Sequence, residues 1–387
     1  MPVSFKSLPA LRAAAVVLVN VALAAGLLVL AELVLHRVYD WKNPFLDNGE
    51  TRLRVRHPVF THTLRAKFDG YDKWGPANSR VFTNSLGFKD ASTRDAPLVA
   101  DRRRVLFIGD SFTEGVGVAY EKSFVGRFAQ AFPELDVLNA GVSTYAPSAY
   151  FAKLKYYLDA GLKFDEAIVY IDISDIQDEA IVYRRDLSGI LQLGVFAVDP
   201  VACLPQPAQL VAPPARGWLE EHSFVAEFLS KALYARRVEA ADARASLDDF
   251  MRSGRVYSRD WGRGSWTYDA QAECFGPRGV AGAIEKAKAE MDRIHELLAS
   301  KGVALSVGVY PWPQQMLYDL EDSRQAQIWR DWCAGKCRRF FDHFPAFFRY
   351  ERAHPDFIRE LFIWADNHFN EHGHGVLAED LIAKYRD

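Results

Sequence analysis

The chain has 387 residues, 49% hydrophobic and 25% charged, and its 47 Lys and Arg against 50 Asp and Glu give a formal net charge of −3. That is the composition of an ordinary globular protein, with no internal repeat or low-complexity tract. The near balance of charge offers no case for nucleic-acid binding. After a short tail over 1–12, the stretch from Ala13 to Leu35 is apolar almost throughout, interrupted by Asn20, Gly26 and Glu32. At about 1.5 Å per helical residue it is long enough for a bilayer core of about 30 Å. A cleaved signal peptide is the rival, with Ala22-Leu-Ala24 as its cleavage motif, but the apolar run continues well past that motif and favours an uncleaved anchor. Lys6 and Arg12 precede the segment while Arg37 and Lys42 follow it, so the positive-inside rule decides little about orientation.

Residues 36–100 read as a polar, aromatic-bearing lead-in with few clear elements. From there strands over 105–108, 135–138 and 167–173 alternate with helical stretches over 121–132 and 148–160, and this alternation predicts a parallel sheet. A long helix from about Gly282 to Ser300 leads into a strand from Ala304 to Tyr310. Between about 180 and 279 the pattern is interrupted. The interruption holds a Pro-rich loop (Pro200, Pro205, Pro207, Pro213, Pro214), a helical stretch near 218–250 and a glycine-aromatic run. It leaves the sheet just after Ser174, at the edge where open α/β sheets bind ligands, so it reads as a lid or as a peripheral embellishment.

The stretch Val105-Leu-Phe-Ile-Gly-Asp-Ser-Phe-Thr-Glu-Gly115 carries the most chemistry. Four apolar residues make a buried strand, Gly109 ends it, and the residues after Ser111 suit a helix start. Such a turn lifts Ser111 to the carboxyl edge of the strands and aims helix-start amides at the same spot, so Ser111 is a candidate nucleophile. The alternative is an N-cap serine. A phosphate loop fits poorly because no Lys-Ser or Lys-Thr follows the glycines, and Gly115 with Gly117 lacks the third glycine of a dinucleotide fingerprint. Near the other end, Trp364-Ala-Asp-Asn-His-Phe-Asn-Glu-His-Gly-His374 sets Asp366 and His368 in a polar loop. An amphipathic segment follows, with Val376, Leu377, Leu381, Ile382 and Tyr385 at helical spacing. An imidazole to take the hydroxyl proton and a carboxylate to orient it are what serine catalysis requires. Asn139-Ala-Gly141 and Asp172-Ile-Ser-Asp175 each follow an apolar segment and fall on the same sheet edge.

Together these four blocks resemble the SGNH (GDSL-type) hydrolases, serine esterases and acyltransferases with a flavodoxin-like three-layer α/β/α core. The resemblance covers roughly 80–185 and 280–387, and the lead-in Asn84-Ser-Leu-Gly-Phe88 adds to it. It implies a catalytic domain over 101–387, Ser111 as nucleophile, His368 as base, Asp366 as orienting acid, and the amides of Ser111 and Gly141 as oxyanion donors. It implies no cofactor and no metal. Two positions depart from the family pattern: Ser174 stands where an asparagine usually supplies the third oxyanion donor, and the acid and base lie two apart rather than three. The resemblance also implies a periplasmic or extracellular domain on a membrane anchor.

Three functions are in play: an esterase acting on an acylated envelope glycan or a small ester, an O-acyltransferase handing the acyl group to a sugar hydroxyl, and a non-catalytic glycan-binding or assembly protein. The run from Tyr257 to Tyr268 interleaves Trp261 and Trp266 with Arg259 and Arg263, after Arg255. It suits a sugar or acidic polysaccharide, or packs the insertion onto the core. His372 and His374 read as loop or cap residues rather than metal ligands, since Gly373 breaks helical spacing. Among four cysteines, Cys203 with Cys274 and Cys333 with Cys337 are one of three connectivities, and four free thiols are another outcome.

Overall fold

Buried apolar runs become the strands at the centre of the fold. The structure is a computed structural model describing residues 8–38, 53–74, 77–186, 191–193, 217–242, 244, 263–364 and 366–386. In chain order its strands are β1 (Arg54–His57), β2 (Thr61–Leu64), β3 (Asp69–Trp74), β4 (Ala77–Thr83), β5 (Lys89–Asp90), β6 (Arg104–Ile108), β7 (Asp136–Asn139), β8 (Glu166–Tyr170), β9 (Tyr183–Arg185), β10 (Leu191–Leu193), β11 (Ala304–Val309) and β12 (Arg339–Asp342). Eight of them form one sheet in the order β12-β11-β8-β6-β7-β5-β4-β3. Its parallel part is β7-β6-β8-β11-β12. Numbered along the chain, those five run 2-1-3-4-5, the flavodoxin-like doubly wound order, whose strand order reverses between β6 and β8.

Helices Phe124–Ala131, Phe344–Ala353 and Glu371–Arg386 pack as one group, and Pro147–Asp159, Asp175–Ile181 and Gly279–Ser300 as another. These are the two helical layers of an α/β/α sandwich, and they bury Val105, Leu106, Phe107 and Ile108 of β6 on both sides. Each such side chain contributes about 1.5–3 kcal/mol by leaving water. The expected elements recur within a few residues, and β12 joins them at the far edge.

The lead-in does not match its sequence reading. Residues 36–100 supply β1 to β5, and β5, β4 and β3 continue the sheet antiparallel beyond β7. In β3 the exposed positions Asp69, Tyr71 and Lys73 alternate with Gly70, Asp72 and Trp74, which are half-buried. Polar residues on both faces hide a strand from a hydrophobicity pattern.

Contacts divide the chain into two compact units, Met1–Pro44 with Gln209–Phe250, and Phe45–Ala208 with Met251–Asp387. In the first, helix Leu8–Val38 contains a 20-residue stretch, Ala15–Val34, of mean hydropathy 2.4, long and apolar enough to cross a membrane. Glu32, a break in the apolar run, accepts hydrogen bonds from Ser223 Oγ at 2.9 Å and Val225 N at 3.1 Å, capping helix Phe224–Asp242. The insertion expected over 180–279 is therefore not one piece. Its middle belongs with the N-terminal helix, while 263–279 belongs with the sheet. The Pro-rich loop, Arg255, Tyr257, Arg259 and Trp261 lie outside the described residues. Cys333 and Cys337 form a disulfide. Cys274 is also disulfide-bonded, and Cys203, outside the described residues, is the one other cysteine of the chain.

A buried ion pair ties β6 to β7. Arg104, 1% exposed, places Nε 2.7 Å from Asp136 Oδ2 and donates through Nη1 to Lys163 O at 3.1 Å. Removing one partner of such a pair strands the other charge and costs about 3–5 kcal/mol. Asp136→Asn is accordingly expected to lower unfolding free energy by about 3 kcal/mol in urea titrations of the folded protein, with the sheet-free N-terminal helix unaffected.

Candidate active site

β6 ends at Ile108, and the chain turns at Gly109 into the one-turn helix Ser111–Glu114. A Cβ on Gly109 would lie 2.2 Å from Thr113 Oγ1, so only glycine lets the turn close this tightly. Asp110 caps the helix, its Oδ1 accepting from Phe112 N at 3.0 Å. Ser111 thus stands at the carboxyl end of β6, beside the switch point, and is 7% exposed. Its amide has no acceptor among the described residues.

His368 Nε2 lies 2.7 Å from Ser111 Oγ. On its other side, His368 Nδ1 hydrogen-bonds Asp366 Oδ1, which also accepts from the His368 amide at 2.9 Å. The two-residue spacing lets one carboxylate oxygen hold both the backbone and the ring of the histidine. Asp366 Oδ2 accepts from the indole Nε1 of Trp74 at 3.1 Å. Burial pushes the Asp366 carboxyl up, but the charge and hydrogen bonds of His368 and the bond from Trp74 outweigh it and hold the group below its usual range. The imidazole packs against Phe112 at 4.7 Å and edge-on to Trp74 at 4.9 Å.

Two expected oxyanion donors are differently engaged. The Gly141 amide donates to Asn139 Oδ1 at 3.1 Å, while Asn139 Nδ2 donates to Thr113 O at 2.7 Å. The glycine serves close packing: a Cβ there would lie 2.6 Å from Glu114 N. The expected donor to substrate is thus paired with a side chain in this structure, and would have to turn from Asn139 to reach an oxyanion. Ser174 lies at the carboxyl end of β8, buried, with its amide 2.7 Å from Asp172 Oδ1 and its hydroxyl also hydrogen-bonded to Asp172. On the loop after β7, Thr144 adopts φ 66°, a left-handed conformation that costs a residue bearing a Cβ. Tyr183 helps hold it, donating its hydroxyl to Thr144 O at 2.7 Å.

Beneath the serine, carboxylate oxygens of Asp110, Asp172 and Asp175 lie within 4.8 Å of one another. Burial, then mutual repulsion, raises the pKa of Asp110 and Asp175 well above the usual range, and burial raises Asp172. Each is already hydrogen-bonded, Asp110 by Tyr310, Asp172 by Trp312 and Asp175 by Tyr150. Of the remaining histidines in the last block, His372 is exposed, and His374 is buried beside Phe124 with its pKa lowered by burial to about 3. In the glycine-aromatic run, Trp266 is fully buried and donates to Ile173 O at 3.0 Å, and Arg263 pairs with Asp178 at 2.6 Å.

No protein-family model matches the chain, and no curated protein does. Solved structures show weak similarity. A member of the lipolytic G-D-S-L family from Veillonella parvula is 9% identical, with 73% of this chain and 98% of that one covered at a TM-score of 0.37. A variant acetyl-xylooligosaccharide esterase from a Geobacillus species is 13% identical, covering 74% and 96% at 0.39. An esterase from a Pseudoalteromonas species, inhibited by monoethylphosphonate, is 8% identical, covering 73% and 97% at 0.36. Such values are too low to transfer an activity.

Sequence reading missed Trp74 and Arg54, which lie in strands it did not identify, and Lys153, which falls inside a helix it did identify. Lys153, 1% exposed, donates from Nζ to Ala140 O at 2.9 Å, tethering the loop after β7. Burial lowers its pKa from 10.5 to about 7, against an opposing pull from Glu114. Between about pH 7 and 10.5 the unfolded chain therefore binds a proton here that the folded chain does not, and stability rises with pH across that window. Urea midpoints of the wild type should climb from neutral to alkaline pH, and Lys153→Met should flatten that climb.

Proposed function

We propose that this protein is a serine hydrolase that cleaves carboxylic esters through an acyl-enzyme. The observation that carries the reading is the continuous chain Asp366–His368–Ser111, with 2.7 Å between imidazole Nε2 and the serine oxygen. In the first step Ser111 Oγ attacks the ester carbonyl carbon while its proton passes to His368 Nε2. Asp366, kept ionised, stabilises the imidazolium and fixes Nδ1–H toward itself. The Ser111 amide, with no acceptor among the described residues, donates to the oxyanion. Collapse expels the alcohol, protonated by His368, and leaves acyl-Ser111. Water, deprotonated by His368, then attacks the acyl carbonyl, releasing the carboxylic acid and restoring the serine.

Helix Leu8–Val38 anchors the protein in a membrane. The disulfides fit an oxidising compartment, so the catalytic unit stands on the periplasmic or extracellular side.

A fluorophosphonate probe on the full-length protein in detergent should label Ser111, and Ser111→Ala or His368→Ala should lower turnover of an activated acetyl ester by at least about a thousandfold. Labelling at another serine, with full activity in Ser111→Ala, would falsify the reading. Because Ser174 turns its hydroxyl to Asp172, Ser174→Ala is expected to cost about tenfold or less in kcat, well below the loss of a well-placed oxyanion donor. Steady-state kinetics on the same ester measures both.

A further inference from the structure

We propose that Trp74 is a positioning residue for the triad's carboxylate, so that the segment entering the sheet from the N-terminal side completes the active site. The inference deepens the serine-hydrolase reading and rests on it. The alternation of β3 turns Asp72 and Trp74 inward on one face of the sheet's edge strand. A carboxylate has two oxygens to satisfy. Oδ1 of Asp366 is occupied by the amide and ring of His368, and the indole of Trp74 serves Oδ2 at 3.1 Å. Trp74 Nε1 is also 3.2 Å from His368 Nδ1. When His368 donates from Nδ1 to Asp366, that nitrogen has no lone pair to offer, so the indole hydrogen goes to the carboxylate.

Arg54 links the same strand to the nucleophile. Its guanidinium bonds Asp72 through Nη1 at 3.0 Å and Glu114, in the helix that Ser111 opens, through Nη2. It also lies 5.6 Å from the centroid of the Trp74 ring. Glu114 in turn accepts from Ser143 N at 2.7 Å on the loop after β7. The polar contacts thus close a circuit from the Ser111 helix through Arg54 and β3 to Asp366, His368 and back to Ser111. An indole that only filled space would need no donor aimed at the carboxylate. With the donor in place, Asp366 is held from rotating and releasing the imidazole from its line with Ser111.

The test uses the full-length protein in detergent micelles. Trp74→Phe keeps an aromatic ring and removes the donor, and is expected to lower kcat on an activated acetyl ester about tenfold while leaving KM within about twofold. It should also move the acid limb of kcat/KM to higher pH, because a carboxylate relieved of one donor holds the imidazolium more tightly. Independently of activity, the Trp74 indole proton resonance should shift upfield in Asp366→Asn, where the charged acceptor is lost. Turnover within about twofold of wild type with an unmoved limb in Trp74→Phe, or an unmoved indole resonance in Asp366→Asn, overturns the proposal. A wild-type protein that takes no fluorophosphonate sinks the hydrolase reading instead, and the indole resonance then still decides whether Trp74 holds Asp366.

Discussion

The 2.7 Å contact between His368 Nε2 and Ser111 Oγ joins residues 257 positions apart, and the fold around it is arranged to hold it. Ser111 is fixed by β6 and the turn at Gly109, where the Thr113 side chain packs too closely for a Cβ. His368 is fixed by a short loop ahead of helix Glu371–Arg386, which packs on helix Phe124–Ala131 a little beyond the serine. The hydrogen bond is only as good as the packing of those two helices. Asn370 strengthens the loop, its Nδ2 donating to Glu360 O at 3.0 Å and Phe362 O at 3.1 Å while its Oδ1 accepts from His372 N at 2.8 Å.

The electrostatics around that contact are uneven, and the unevenness has chemical sense. Asp366 is kept ionised by donors on both oxygens, whereas Asp110, Asp172 and Asp175 beneath the serine are pushed toward their protonated forms by burial and by one another. One carboxylate carries charge next to the imidazole, and the cluster below sheds it. Three fully ionised groups at that spacing in a dry interior would repel the oxyanion that the serine must generate. Hydroxyl and indole donors from Tyr150, Tyr310 and Trp312 satisfy the oxygens without adding positive charge.

The antiparallel extension gives the doubly wound core a second task. β5, β4 and β3 lengthen the sheet beyond β7 and carry Trp74 to the site, where Arg54 of β1 joins β3 through Asp72. Lys89 on β5 is buried, with Nζ donating to Gly115 O at 2.6 Å and Val118 O at 2.7 Å, so the chain leaving the Ser111 helix is gripped from the same side. Burial lowers that lysine's pKa to about 8, a cost offset by the two carbonyls it pins.

The sequence by itself determined the elements whose pattern is local. The run Val105 to Ile108 gives β6, the periodicity of Gly279–Ser300 gives a long amphipathic helix, and the apolar stretch within Leu8–Val38 gives a helix fit for a bilayer. Ser111, Asp366 and His368 were legible because a strand-to-helix turn and a polar loop announce themselves in a few residues. Tertiary structure alone decided what depends on partners far along the chain. Strand β3 has polar residues on both faces and becomes a strand by pairing with β4, so neither it nor Trp74 could be recognised from hydrophobicity. The partner of the Gly141 amide turns on how the Asn139 side chain folds back over the loop, which no spacing encodes. Glu32, read as a flaw in an apolar run, is the cap of a helix that begins near residue 224. In each case the deciding energy is a hydrogen bond or close contact between distant segments, and such a bond leaves no periodic trace in either one.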